Sequence, residues 1–101
     1  MDSYTRAEIL SPADNAAVRS NAGTLTVLVR IDPQIQDGHR IQLLLDGVPS
    51  ATAGRQHEFH LENIDRGTRT LQLQIIDNSG HVLFTGPQST FHLLRHSRLH
   101  P

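Results

Sequence analysis

Apolar and polar residues alternate with a period of two through most of this chain. The segment Arg66-Gly67-Thr68-Arg69-Thr70-Leu71-Gln72-Leu73-Gln74-Ile75 places Leu71, Leu73 and Ile75 on one face and Thr70, Gln72 and Gln74 on the other. That pattern marks a strand with one face buried in an antiparallel sheet. Asp77-Asn78-Ser79-Gly80 then reads as a type I turn whose last residue takes positive φ, and Val82 and Phe84 carry the inward phase of the returning strand. Earlier, Leu25, Val27, Val29 and Ile31 alternate with Thr24, Thr26, Leu28 and Arg30. Ile41, Leu43 and Leu45 face inward from a third strand, Arg40 to Asp46. Asp46-Gly47 is a two-residue hairpin signal, with Val48 to Thr52 returning as an edge strand.

Tyr4 to Leu10 reads as a first strand, stopped at Ser11-Pro12 because proline has no N–H to give to a ladder. Gln56 to Leu61 buries Phe59 and Leu61, Ile35 tucks under a polar connection, and Ile64 anchors a corner. Ser89 to Leu94 turns Phe91 and Leu93 inward after a Gly86-Pro87 break that predicts a bulge on a sheet edge. Seven or eight short strands with frequent turns and no amphipathic helix predict an all-β, immunoglobulin-like or fibronectin III-like antiparallel β-sandwich over residues 1–95. A small closed barrel is the alternative, and residues 96–101 read as a frayed tail.

Composition narrows the function classes. The 101 residues suffice for one domain, and with only Tyr4, Phe59, Phe84 and Phe91 aromatic the core is Leu, Ile and Val. A formal net charge of −1 supplies no field for nucleic acid or an anionic membrane. No apolar run approaches the ~20 residues of a membrane helix, so direct membrane insertion is not expected. Met1-Asp2-Ser3 does not begin a signal peptide, so an exported parent would carry its signal outside this segment. With no cysteine, disulfides and thiolate metal sites are excluded.

Three stretches carry a family likeness: Ile9-Leu10-Ser11-Pro12-Ala13-Asp14-Asn15-Ala16-Ala17-Val18, Leu43-Leu44-Leu45-Asp46-Gly47, and Arg66 to Leu71 followed by Asp77-Asn78-Ser79-Gly80. In that order they resemble bacterial immunoglobulin-like domains of cell-envelope proteins, such as the C-terminal module of the penicillin-binding protein 1C type. The resemblance implies a periplasmic or envelope location and a non-catalytic spacer or protein-interaction role. The partner it implies is a neighbouring domain or another envelope protein, with a weak homodimer as a further option. It transfers no catalytic residue. A carbohydrate- or peptidoglycan-binding sandwich serving a cell-wall enzyme is the alternative. Such modules stack sugar rings on exposed Trp or Tyr, and here there is no Trp and one Tyr, Tyr4.

Candidate chemistry is sparse. His92, His96 and His100 recur every four residues, a ligand spacing on a helix, but His92 falls in a strand pattern. His57 and His60 fall on opposite faces of a regular strand, and the aspartates lie singly at turns, where they accept backbone N–H bonds. No metal site, cofactor or catalytic set is expected. The remaining signal is apolar residues in the outward phase: Leu44, Ile76, Leu83 and Leu94, among Arg40, Gln42, Gln72, Gln74 and His92. An apolar cluster rimmed by Gln and Arg is the expected partner-binding surface.

Overall fold

The computed structural model describes residues 4–94, so the tail expected at 96–101, with His96 and His100, lies outside the described residues. These residues form nine strands: β1 (Arg6–Ser11), β2 (Ala16–Arg19), β3 (Leu25–Asp32), β4 (Arg40–Leu45), β5 (Val48–Ala53), β6 (Glu58–Leu61), β7 (Gly67–Ile76), β8 (Val82–Thr85) and β9 (Ser89–Leu94). One sheet has the order β1-β3-β6. The other runs β2-β9-β7-β4-β5, with β8 also paired to β7. All pairings are antiparallel except β2 with β9, which is parallel. The expected sandwich is therefore present, with one strand more than the pattern suggested.

The core lies between the sheets and follows the alternation. Leu25, Val27, Val29 and Ile31 of β3 and Phe59 and Leu61 of β6 face Ile41, Leu43, Leu71, Leu73, Ile75, Phe91 and Leu93 of the second sheet. Val27, Ile41, Leu43, Leu71, Leu73 and Ile75 are wholly inaccessible to solvent. Leu45 and Phe84, expected in the core, lie at its rim and are only partly buried. Tyr4, Ala7, Ile35, Ala53 and Ile64 complete it.

Two connections determine the topology. After β1 the chain leaves the first sheet, and residues 16–19 join the second beside β9. Asp14 Oδ1 accepts a 2.8 Å bond from Thr90 N, while Asn15 N donates to Thr90 O at 2.6 Å. These bonds satisfy the outer edge of β9 where β2 has not yet begun, as a sheet edge requires. The second connection is the Asp46-Gly47 turn, with φ of 54° and 81°, the two positive values of a type I′ hairpin.

The Gly86 break divides what would be one long strand into β8 and β9, both paired to the same side of β7. Gly86 N bonds Leu73 O at 2.9 Å, so the edge continues through the break. A Cβ at Gly86 would lie 1.8 Å from the carbonyl oxygen of Ala7, closer than any side chain tolerates. Glycine is required there because β1 packs directly on the break. Sequence alternation alone does not reveal this contact.

Candidate functional site

The outer face of the second sheet is built from the residues between the core positions. Across β4, β7 and β8 the register aligns Arg40 with Ile76 and Val82, Gln42 with Gln74 and Thr85, and Leu44 with Gln72. Gln42 Nε2 donates to Gln74 Oε1 at 3.2 Å, and Gln74 Nε2 reaches Thr85 Oγ1 at 3.4 Å. Gln72 Nε2 donates to Gly86 O at 2.9 Å, tying the face to the strand break. Further along, Thr68 Oγ1 and His92 Nδ1 are 3.0 Å apart. Amide and hydroxyl groups bond one another across the strands of this polar face.

The four residues expected to form an apolar patch here do not form one. Leu44 is 7% exposed and Ile76 9% exposed, although neither belongs to the central core cluster. In the register Leu44 is aligned with Gln72 and Pro49, and Ile76 with Arg40 and Val82. A period-two reading gives the face a side chain takes but not how far its neighbours on adjacent strands cover it, and long side chains there can cover much apolar surface.

Leu83 and Leu94 are exposed, at 40% and 38%, but lie far apart. β8 pairs with the Ile76 end of β7 and β9 with its Gly67 end, so the two leucines are separated by the strand's length, roughly 30 Å at ~3.3 Å per residue. β8 and β9 lie end to end along β7, on either side of the Gly86-Pro87 break, which puts the two leucines at opposite ends of that edge. Val82 is also corrected. A bulge pairs Ile75 with Phe84 and Ile76 with Val82, leaving Leu83 as the extra residue and turning Val82 outward, where it is 50% exposed.

Other exposed apolar residues were not foreseen as a surface. Leu10, 51% exposed, lies at a bulge of β1 beside Leu28, which is 40% exposed. Around them run polar pairs: Arg30 Nε with Asp32 Oδ2 at 3.2 Å, an ion pair, and His60 Nε2 with Glu58 Oε2 at 3.2 Å. These are solvent-exposed pairs that add little stability. Leu28 alternates with Thr26 and Arg30, so its outward phase was visible in the sequence.

The titratable groups have structural partners. Asp46 Oδ2 accepts a 2.6 Å bond from Arg69 Nη1, and its Oδ1 accepts from Thr70 N at 3.0 Å. Partial burial raises the pKa of this carboxyl. The Arg69 bond, the Thr70 N–H and the Arg69 charge together outweigh that effect and hold it below the ordinary carboxylate value. Asp77 Oδ1 accepts from the N–H groups of His81 and Ser79, both at 2.9 Å. The His81 N–H leads in lowering the Asp77 pKa, against a smaller rise from desolvation. Asp77 thus closes the predicted turn, and Gly80 takes the expected positive φ of 90°. Among the described residues, no three His, Asp or Glu side chains are grouped to hold a metal ion. No helix of the described residues is long and apolar enough to cross a membrane.

The aromatic side chains are all committed inward. Tyr4, Phe59 and Phe91 are 6%, 4% and 1% exposed, and Phe84 packs against the core. The tyrosine on which a sugar ring would stack therefore has no free face.

A family model, described as the penicillin-binding protein C-terminus family, matches residues 2–83. The chain belongs to the penicillin-binding protein C-terminus family. The matched residues run from before β1 into β8 and include the Ser11-Pro12 corner, the Asp46-Gly47 hairpin and the Asp77 turn. Among curated proteins none matches the chain. Among solved structures, the fibronectin(III)-like modules of Clostridium thermocellum CbhA share the fold with a TM-score of 0.68 and 13% identity, covering 91% of this chain and all of theirs. CopC from Methylosinus trichosporium OB3b gives 0.55 at 17% identity, over 94% of this chain and all of its own. A Bacteroides ovatus protein, SGBP-B of a mixed-linkage glucan utilization locus in complex with a mixed-linkage heptasaccharide, gives 0.57 at 17% identity over 92% of this chain and 25% of its own. At such identities these likenesses establish a fibronectin III-like fold and nothing more.

Proposed function

We propose that this chain is a non-catalytic module of a larger bacterial envelope protein, acting as a spacer between the parts it joins. Membership of the penicillin-binding protein C-terminus family supports the envelope setting. The observation that carries the spacer reading is the position of the two described ends. Thr5 N bonds Asp32 O at 2.8 Å, so the chain enters beside the end of β3. Ser20 N bonds Leu94 O at 2.9 Å, and Thr24 N bonds Ser20 Oγ at 3.0 Å, so the chain leaves beside the start of β3. Entry and exit thus lie at opposite poles, about 25 Å apart along the eight residues of β3. That arrangement holds flanking parts of a protein apart in line.

In the parent protein, residues 4–94 would be replaced by an unrelated sandwich that also has its ends at opposite poles. Retained cell-wall synthesis with the replacement, and loss on plain deletion, is the expected outcome. Loss with the replacement, together with pelleting of the isolated chain by purified peptidoglycan sacculi, would instead favour the glycan-binding alternative.

A further inference from the structure

The entering segment does more than begin β1. Tyr4 is 6% exposed and belongs to the central core cluster, although it stands ahead of the first strand. Its phenol oxygen accepts a 3.0 Å bond from Gln36 N and is paired with His39 Nδ1 at 2.6 Å. The Tyr4 and His39 rings lie 5.7 Å apart, tilted by 57°. Ile35, 5% exposed, belongs to the same cluster, and the next residue, Thr5, gives both its N–H and its Oγ1 to Asp32 O.

The β3–β4 connection spans residues 33–39. His39 N bonds Gln36 O at 3.0 Å across a turn in which Gly38 takes φ of 82°. Its link to the β5–β6 connection is the Arg55–Asp37 pair at 2.6 Å, with the Asp37 side chain 98% exposed, and such pairs add little. Ile35 and the Tyr4 phenol are buried anchors of the connection.

We infer that Tyr4 is a latch: the entering segment holds the β3–β4 connection closed through the Tyr4 phenol, and the two open together as one local unit while the sandwich stays folded. Local units of this kind open at a free energy below that of global unfolding. The latch rests on this chain's own geometry and holds whether or not the chain is a spacer. In a spacer, it would make the pole facing the preceding part respond to tension on that segment.

Native-state hydrogen exchange on the full chain tests this, with Tyr4→Phe and Tyr4→Ala beside the unaltered protein. Tyr4→Phe keeps the buried ring and removes both phenol bonds. It should speed exchange at the Gln36 and His39 amides roughly ten-fold, the effect of losing one to two buried hydrogen bonds. Tyr4→Ala should speed them further and should also expose Thr5. In all three proteins the Leu43 and Leu73 amides should stay better protected than Gln36 and His39, and their exchange should depend more steeply on added urea, because they open only with the whole sandwich. Unchanged exchange at Gln36 and His39 in Tyr4→Phe would overturn the latch, since the phenol would then hold nothing. Exchange at Gln36 and His39 as slow and as steeply urea-dependent as at Leu43 and Leu73 in the unaltered protein would overturn it too, because the connection would then open only with the global core.

Discussion

Single residues show where local chemistry is legible and where it is not. Asp46-Gly47 announces its turn because positive φ at two successive positions suits few other pairs, and both positions adopt it. The partner of Asp46 was not legible, since Arg69 lies 23 residues away and reaches it only once β4 and β7 are paired. This ion pair implies a pH dependence. The folded Asp46 has a pKa below its unfolded value, so it binds fewer protons when folded. Its contribution to stability is therefore fully present above the ordinary carboxylate pKa of about 3.9 and is lost as pH falls through the lower folded value. In Asp46→Asn, urea midpoints measured from pH 6 down to pH 2 should decline less steeply below pH 4 than in the unaltered chain. Parallel declines would mean that Asp46 contributes nothing to acid stability.

For the strands, period-two alternation located β3, β4, β7 and β9 and most of the core, because each strand buries one face in a single central layer. It failed at β2, where Ala16-Ala17-Val18-Arg19 is too short and weakly patterned to show a strand that exists by pairing in parallel with β9. It also failed at β8, where a bulge reverses the phase of Val82. Phase states which face a side chain takes but not what its neighbours cover, and Leu44 is the clearest case. Leu44→Ser should lower stability by about 1.5–3 kcal/mol, the value of a buried leucine, whereas Leu83→Ser at the exposed bulge should stay within about 0.5 kcal/mol of the original. Chemical denaturation of the two variants distinguishes them. Equal, negligible losses would return Leu44 to the exposed surface.

The whole molecule adds what no single strand carries, namely which pole each connection occupies. The sequence suggested a sandwich and the order of its turns. The poles depend on the chain crossing from β1 to β2 between sheets, which brings Ser20 to the exit pole beside Leu94. Loops 33–39 and 20–24 should therefore lie at opposite ends of the molecule. The chain has no native cysteine, so spin labels can be placed singly at Asp37→Cys and Arg19→Cys, both on exposed side chains. Dipolar spin spectroscopy should give one main distance of roughly 25 Å or more, set by the length of β3 between the two loops. A main distance well under 20 Å would place both connections at one pole. Entry and exit would then lie side by side, and a chain passing through this module would turn back on itself instead of being held in line.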